Sequence, residues 1–383
     1  MPRIYLDNAS TTRVDPRVLD AMTPFLTEFY GNPSSVHSFG QESRNAIDGA
    51  RRQVSSLLNC SPNELIFTSG GTESNNIAIR GLAERFPGGH IITSTIEHSA
   101  VREVVRALAE SGYEITEISP DENGFIDSDR IRSAIKKNTF LISVMHANNE
   151  IGTIQRIAEI STIVSESKES GMEIYLHSDA VQSLGKIPVD TKELNCDLMS
   201  FSAHKLYAPK GIGALFIKKS VRLRPLTNGG PHEKGLRPGT ENVAAIVAFG
   251  VACEIAKHDM DSEAQRIRAM RSLFEESIEK RIVGAAINGG DEKLPGITNI
   301  SFDGVSGEAL LISLDQMGVA VSTGSACASG TIEPSHVLMA IGRQVDEARS
   351  AIRFSFGRFN TDRDVDATVE YLVKAIDGLR NLR

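Results

Sequence analysis

A lysine lies near the middle of a polar, glycine-containing stretch that spans residues 200 to 213 and reads SFSAHKLYAPKGIG. The mostly apolar run before it, residues 196 to 201, predicts a short buried strand, and the residues that follow end the strand and turn the chain. This places Lys205 at the carboxyl end of a strand, where open α/β sheets bind their ligands. A lysine amine can form a Schiff base with a carbonyl cofactor such as pyridoxal phosphate, if its surroundings lower its pKa from about 10.4. The common alternative is a solvated surface lysine.

A carboxylate upstream could serve the same cofactor. Residues 174 to 182, IYLHSDAVQ, predict another short strand that ends on Asp179. A carboxylate there could pair with a protonated pyridine nitrogen, which strengthens the ring as an electron sink. Capping of the next helix is the alternative role for Asp179.

A glycine pair provides a candidate phosphate site. Residues 64 to 79 predict a strand, then Gly70 and Gly71, then a helix that starts near Thr72. Free backbone N–H groups at a helix start favour an anion, and glycines let a phosphate approach closely. A tight turn uses the same residues, so the phosphate hypothesis depends on the nearby lysine.

Three further side chains follow strand-like segments. His98 comes after the strand predicted at residues 90 to 95, and it could stack on a flat cofactor and transfer protons at neutral pH. Asn149 follows the strand predicted at residues 139 to 146 and could bind cofactor or substrate. Arg353 lies in an alternating segment, residues 350 to 360, and offers a fork that suits a substrate carboxylate. A structural histidine and a solvated arginine are the alternatives.

A cysteine in the last third of the chain has small polar neighbours. Cys327 lies between Gly324 and Gly330 in the segment VSTGSACASGT, residues 321 to 331. Cysteine is usually buried as a small apolar residue, but no neighbour here is bulky enough to bury it, so an exposed and movable thiol is expected. At a pKa of about 8.5 only a small fraction is thiolate at neutral pH, so a catalytic role requires nearby help.

The elements that position these residues predict an α/β fold. Strands near residues 65, 92, 142, 175, 199 and 215 alternate with helical patterns, which indicates a mainly parallel sheet in the first two thirds of the chain. With 383 residues, the chain exceeds what one core normally covers, so two domains are expected. Among the predicted helices are residues 16–30, 41–58, 101–111, 242–282 with a bend near residue 258, 306–317 and 362–380.

Composition limits the classes of partner. The chain is 40% hydrophobic and 23% charged, and its net charge of -8 disfavours nucleic acid or an anionic membrane as the main partner. Four scattered cysteines without a CxxC pair favour a reducing compartment over a disulfide or zinc site. The start lacks a signal-peptide segment and no apolar run could span a membrane, so a cytoplasmic location is expected. A metal site on His177 and Asp179 lacks a third ligand nearby and is not expected.

Seven segments together resemble one enzyme family. They are residues 5–12 (YLDNASTT), 30–37 (YGNPSSVH), 67–75 (FTSGGTESN), 178–182 (SDAVQ), 200–205 (SFSAHK), 237–240 (RPGT) and 324–327 (GSAC). They occur in matching order from end to end, and the chain resembles the cysteine desulfurases of the NifS/IscS type, pyridoxal phosphate enzymes of the class V aminotransferase family. The resemblance implies the aspartate-aminotransferase-like fold type I, with a seven-stranded, mainly parallel sheet. It also implies a large domain at residues 15–255, a small α+β domain at residues 1–14 and 256–383, and a homodimer with active sites at the subunit interface.

The resemblance also implies a role for each matching residue. Lys205 would form the Schiff base, Asp179 would pair with the pyridinium, Gln182 would bind the phenolic oxygen and His98 would stack on the ring. Gly71, Thr72, Ser202 and His204 would bind the phosphate, with Thr240 reaching in from the other subunit; Asn149 and Arg353 would face the substrate, and Cys327 would accept sulfur. Two departures are present. Gly70 and Gly71 stand where many members have Gly-Ala or Cys-Gly, and Cys327 is followed by Ala-Ser-Gly rather than Thr-Ser or Ser-Ser.

The implied reaction removes sulfur from L-cysteine, giving L-alanine and a persulfide on Cys327 that passes to an iron–sulfur scaffold or another acceptor protein. Lys205 would remove the α-proton, and His98 is a candidate proton carrier. An aminotransferase or selenocysteine lyase of the same fold would keep Lys205 and Asp179 without the same dependence on Cys327. A non-catalytic sulfur-delivery scaffold is a third reading, against which the intact lysine, aspartate and histidine argue.

Overall fold

The computed structural model of the chain describes residues 3–324 and 333–381. Its strands are β1 (Ile4–Tyr5), β2 (Leu65–Thr68), β3 (His90–Ser94), β4 (Glu114–Ile118), β5 (Thr139–Ser143), β6 (Tyr175–Asp179), β7 (Leu198–Ser202), β8 (Gly213–Ile217), β9 (Ala285–Asn288), β10 (Ile297–Phe302), β11 (Val319–Ala320) and β12 (Ala351–Ser355). Its helices are α1 (Pro16–Met22), α2 (Pro24–Thr27), α3 (Ser38–Leu57), α4 (Gly71–Ala83), α5 (Ser99–Glu110), α6 (Ser128–Ala134), α7 (Ile157–Glu169), α8 (Thr191–Leu194), α9 (Val243–Arg281), α10 (Gly307–Gln316), α11 (His336–Ala340), α12 (Val345–Arg349) and α13 (Asp362–Arg380).

A seven-stranded sheet forms the centre of the fold. Its strand order is β2-β8-β7-β6-β5-β3-β4, and β8 runs opposite to the other six strands. Each of the six predicted strands coincides with a strand of the sheet. The seventh, β4, lies at an edge; three of the five residues in its sequence EITEI are polar, and its last residue, Ile118, is the one that is buried. Such a polar, partly exposed sequence is typical of an edge strand rather than of the continuous apolar strands in the middle of a parallel sheet.

Helix α5 buries one apolar face against the sheet. In α5, the residues Val101, Val104, Val105 and Leu108 are buried at helical spacing, and the side chain of His98 accepts a hydrogen bond from Ala100 N as the N-cap. The helix predicted near residues 101 to 111 therefore begins two residues earlier. Its start lies beside the carboxyl end of β3, so the cap residue faces the edge of the sheet where ligands bind.

Two predicted helices differ from the structure. The helix predicted over residues 16 to 30 is two helices, α1 and α2, separated at Thr23. Pro24 explains the separation, because proline has no backbone N–H and its ring clashes with the carbonyl four residues earlier in a continuous helix. The long helix α9 runs without interruption through His258, where a bend was expected.

Apolar side chains form separate cores in the two parts of the chain. Clusters on the sheet include Phe201 and Phe249, whereas another cluster brings Leu6 together with residues 267 to 376. Helix α9 contributes to both, with its first half on the sheet and its second half in the C-terminal core. The domain boundary predicted at residue 255 lies inside this continuous helix, and the division into residues 15–255 and the two chain ends stays a prediction. Across the described ranges, no helix is both long and apolar enough to cross a membrane.

Candidate active site

A cavity of about 270 Å³ lies at the carboxyl ends of β6 and β7, beside the start of α4. It brings together nine of the predicted site residues: Gly71, Thr72, His98, Asn149, Asp179, Gln182, Ser202, His204 and Lys205. The remaining lining residues are Ser10, Asn75, Ala100, Met145, Ala147 and Val181. Parallel strands end at the same edge of a sheet, which explains why side chains from distant parts of the sequence meet here.

Lys205 follows β7 in a short 3-10 turn that spans residues 203 to 205. Its Nζ atom donates to the backbone oxygens of Ala9, at 2.6 Å, and Ser10, at 2.5 Å. Desolvation and the positive charge of Arg353 lower the pKa of Lys205 to about 8. The lysine therefore has the lowered pKa that a Schiff-base role requires.

Asp179 is the last residue of β6, and its side chain is buried. One carboxylate oxygen accepts a hydrogen bond from Asn75 Nδ2 at 2.7 Å, and the other accepts from Val181 N at 3.0 Å. These two donors fix the carboxylate at the cavity edge. Asn75, on the first turns of α4, was not identified as a functional residue from the sequence. Its only signal was its place at the end of the glycine-pair segment.

The start of α4 faces the same cavity. The first backbone hydrogen bond of this helix runs from Ser74 N to Gly70 O, at 3.1 Å, so the N–H groups before Ser74 have no acceptor within the helix. The turn before α4 packs tightly against β8: a Cβ atom on Gly213 would lie 2.7 Å from Gly70 Cα. Only glycine at residue 213 permits this approach, and the approach sets the position of the helix start.

Two polar residues at the end of β7 complete this part of the cavity. Ser202 is the last residue of the strand, and His204 Nδ1 lies 3.1 Å from Thr11 Oγ1. Desolvation and the positive charge of nearby Lys205 lower the pKa of His204 to about 4, so its ring is neutral at physiological pH. Together with the open start of α4, these groups offer the hydrogen-bond donors that a phosphate takes.

His98 lies on another wall of the cavity. Its Nδ1 atom accepts a hydrogen bond from Ala100 N at 3.1 Å, so a neutral ring carries its proton on Nε2. Burial lowers the pKa of His98, although the negative charge of Asp179 opposes this effect. A ring with a lowered pKa is largely neutral at physiological pH and can both accept and donate a proton.

Arg353 is 3% exposed and belongs to β12. Its guanidinium donates to Asn149 O at 2.8 Å, to Asp7 Oδ1 at 2.8 Å and to Ser10 Oγ at 2.6 Å. The arginine therefore lies just behind two residues that line the cavity, Asn149 and Ser10, rather than in its wall. Asp7 and Ser10 lie in the first of the seven segments that resemble the family, residues 5–12, but neither was predicted to belong to the site.

Three predicted residues do not line this cavity: Arg353, which lies behind its wall, Thr240 and Cys327. Thr240 is exposed and lines a separate surface cavity with Arg44 and Glu241. Its predicted role in the partner subunit stays a prediction. Cys327 lies outside the described residues. Of its described flanks, Ser335 Oγ donates to Glu150 Oε2 at 2.5 Å, and a Cβ on Gly324 would lie 2.8 Å from the same oxygen.

The side chains at the cavity fit pyridoxal phosphate. The buried carboxylate of Asp179 suits a protonated pyridine nitrogen, and the start of α4 suits a phosphate. The amine of Lys205, with its lowered pKa, suits a carbonyl carbon. His177, considered above as a metal ligand, instead bonds the hydroxyls of Ser143 and Ser200. Within residues 3–324 and 333–381, no group of three His, Cys, Asp or Glu side chains could hold a metal ion.

Comparisons with known proteins identify the family. Residues 4–368 match the model of the aminotransferase class-V family. The chain is 48% identical over 382 residues to the cysteine desulfurase IscS of Dictyoglomus turgidum, covering 99% of this chain and 96% of that protein. It is 45% identical over 381 residues to the cysteine desulfurase IscS 1 of Archaeoglobus fulgidus, covering 99% and 98%.

Solved structures agree with this assignment. A NifS-like protein, 38% identical, superimposes with a TM-score of 0.92 over 98% of this chain and all of that chain. A NifS-like protein from Rickettsia africae, 31% identical, gives a TM-score of 0.87 over 98% of this chain. The predicted fold class and the dependence on pyridoxal phosphate are thereby confirmed. The chain belongs to the aminotransferase class-V family and, within it, to the cysteine desulfurases.

Proposed function

We propose that the cavity between β6, β7 and α4 is where this cysteine desulfurase takes sulfur from L-cysteine. The observation that carries the proposal is the convergence of the Lys205 amine and the Asp179 carboxylate on one cavity, beside the open start of α4. The products are L-alanine and a persulfide on Cys327. The relatives named above support this choice of reaction over transamination.

Pyridoxal phosphate supplies an electron sink that stabilises negative charge at the substrate α-carbon. In the proposed arrangement, Asp179 would hold its ring nitrogen and Gln182 its phenolic oxygen. The phosphate would lie at the start of α4, where Gly71, Thr72, Ser202 and His204 line the cavity. His98 would pack on the ring.

Lys205 is the proposed base. At pH values near its pKa of about 8, a large fraction of the amine is neutral and can accept the substrate α-proton. The backbone oxygens of Ala9 and Ser10 hold Nζ in place through hydrogen bonds. A solvated lysine, with a pKa of about 10.4, would be almost entirely protonated at the same pH.

Arg353 and Asn149 are proposed to bind the substrate carboxylate. Asp7 and Ser10 hold the guanidinium from one side, and the Asn149 backbone oxygen holds it from another. This fixed positive charge directly behind the cavity wall suits recognition of a small amino acid, because it attracts the substrate carboxylate. Asn149 lines the cavity itself and could contact the substrate directly.

Cys327 is the proposed sulfur acceptor. Its thiolate would form an S–S bond with the substrate sulfur as the C–S bond breaks, and the three-carbon product would take up a proton and leave as alanine. His98, with its Nε2 proton, is the candidate donor of that proton. The persulfide sulfur would then pass to an acceptor protein, of which an iron–sulfur scaffold is one kind.

Two further proposals concern assembly and location. Val36 is 93% exposed and Tyr30 is 71% exposed, both near Phe39 at the start of α3, which leaves apolar surface for a second copy of the chain. We therefore propose a homodimer in which Thr240 serves the partner's cavity. The scattered cysteines support a reducing, cytoplasmic compartment.

The test compares three purified variants. Cys327→Ser is expected to bind the cofactor and stay yellow but to release almost no sulfide from L-cysteine, whereas Lys205→Ala loses its covalent link to the cofactor. Cys60→Ser is the matched control, because burial raises the pKa of the Cys60 thiol to about 12 and keeps it unreactive; this variant should retain wild-type activity. Full sulfide release by Cys327→Ser would contradict the proposal and favour a lyase.

A further inference from the structure

A second lysine lies behind the cavity wall. Lys186 lies in the turns that follow β6, and its Nζ donates to Gln182 Oε1 at 3.0 Å. Gln182 lines the cofactor cavity, whereas Lys186 lines a smaller cavity of about 30 Å³ on the other side of it. Lys186 is thus connected to the reaction site through the side-chain amide of Gln182.

The surroundings of Lys186 offer it little compensation for its charge. Among the described residues, no carboxylate lies within ion-pair distance of its Nζ. Glu263 lines the same small cavity, but its carboxylate is bound to Arg358 by hydrogen bonds of 2.8 to 3.2 Å. Desolvation, together with the positive charges of Lys205 and Arg353, lowers the pKa of Lys186 to about 7. A partly enclosed cation without a counter-ion destabilises the folded protein, which indicates that Lys186 has a role other than stabilising the fold.

Two contacts, with Lys186 and with the backbone oxygen of Ala9, fix which way the Gln182 amide faces. A lysine nitrogen in its ammonium form has only donors, so it must meet the amide oxygen, Oε1. Nε2 is thereby placed opposite, where one of its protons is donated to Ala9 O at 2.9 Å. Ala9 O also accepts from Lys205 Nζ. The second Nε2 proton is therefore held beside the catalytic lysine, at the edge of the cavity.

We propose that Lys186 is a positioning residue that acts through Gln182: it orients the amide so that Nε2–H faces the cofactor's phenolic oxygen, and its positive charge strengthens that donor. The proposal rests on the proposed function, because it places the cofactor in this cavity. An anionic oxygen at Nε2 also supplies the negative charge that Lys186 otherwise lacks. Hydrogen bonds in such a chain polarise one another, so the positive charge of Lys186 makes the Nε2–H of Gln182 a stronger donor.

The test uses cofactor binding and the cofactor's own absorption. Apoprotein is titrated with pyridoxal phosphate, and the visible spectrum of the holoenzyme is followed against pH. Lys186→Met is expected to bind the cofactor about tenfold more weakly, as loss of a charge-assisted hydrogen bond implies. The pH midpoint of the spectrum is expected to rise by about one unit, because a nearby cation favours the anionic oxygen. Lys186→Arg, which keeps the charge and the donors, should restore both values.

A double-mutant cycle separates action through Gln182 from a general effect. In a Gln182→Ala background, Lys186→Met should change the dissociation constant less than twofold. Lys293→Met is the control, since Lys293 is more deeply buried than Lys186 but is paired with Glu275 and does not line the cofactor cavity. It should lower stability and leave the cofactor's affinity and spectrum unchanged.

Three outcomes would overturn the inference: an unchanged affinity and midpoint in Lys186→Met, an equal loss in the Gln182→Ala background, or no rescue by Lys186→Arg. If wild-type protein bound pyridoxal phosphate normally in these cases, the proposed function would stand. A wild-type protein that bound no pyridoxal phosphate would overturn the proposed function and this inference together.

Discussion

Replacement of Gly213 by alanine tests how the sheet positions the cofactor site. A Cβ atom there would lie 2.5 Å from Phe201 O and 2.7 Å from Gly70 Cα. Carbon atoms in contact are normally about 3.5–4.0 Å apart, so the new methyl group would overlap the Gly70 backbone by about 1 Å. Gly213 pairs with Thr68 on one side and Ser202 on the other, and the overlapping atoms are backbone atoms that cannot rotate away. The strain is expected to reach about 3 kcal/mol, the upper end of the usual range for overpacking.

The structure indicates which elements would move to relieve this strain. The Gly70 turn precedes α4, whose start lines the cavity, so the turn and the helix start should shift together. If the whole of this strain, about 3 kcal/mol, appeared in cofactor binding, the dissociation constant would rise about 150-fold. If about 1 kcal/mol of it appeared there, the dissociation constant would rise about 5-fold. The assay is a titration of apoprotein with pyridoxal phosphate followed by visible absorbance, together with urea unfolding of the apoprotein.

Gly378→Ala is the matched control for this prediction. Gly378 lies in α13, and a Cβ there would meet no atom within 4 Å. Alanine at this helical position should raise the free energy of unfolding by about 0.5–1 kcal/mol and leave cofactor affinity unchanged. The reasoning is refuted if Gly213→Ala binds the cofactor and resists urea as well as the wild-type protein does.

The remaining predictions concern single side chains at the site. In the apoprotein, acetylation of Lys205 should show a midpoint near pH 8, since only the neutral amine reacts; a midpoint near pH 10 by mass spectrometry would contradict its lowered pKa. Asn75→Ala should weaken cofactor binding by about tenfold or more through loss of the donor to Asp179, whereas Asn76→Ala, which loses only a bond within α4, should not. Arg353→Met should raise the KM for L-cysteine at least about tenfold in sulfide assays and change the cofactor's dissociation constant less than twofold; the reverse pattern would assign the arginine to the cofactor.

The central part of the site follows from the sequence by one physical rule. Asp179 is the last residue of one short buried strand and Lys205 lies in the turn that follows another, and parallel strands end at one edge of a sheet. Polar residues at those ends were therefore expected to meet, and the cavity contains both. The glycine pair before α4 was equally informative, because a strand followed by glycines and a helix gives an anion site its backbone donors.

The supporting contacts could not be predicted in the same way. Asp7 bonds to a side chain 346 residues away, and Asn75 bonds to one 104 residues away. Each of these residues also fits a local role, as a turn or helix residue, so nothing in its own segment marks the distant partner. Lys186 reads as an ordinary charged residue after a glycine. Its role depends on which side chain its four-carbon stem reaches. The break between α1 and α2 at Pro24, by contrast, follows from the local chemistry of proline, although the helical pattern of residues 16–30 had predicted one continuous helix.

Helix α9 links the mechanical behaviour of the two parts of the chain. At 1.5 Å per residue its 39 residues extend for about 58 Å, and its apolar side chains enter the cores on both sides of residue 260. Unfolding of either core would remove packing contacts from α9, a helix that the other core also requires. Heating should therefore produce one cooperative unfolding transition rather than two. Any opening and closing of the protein around its substrate must occur by bending of α9 or by movement of the loops beside it.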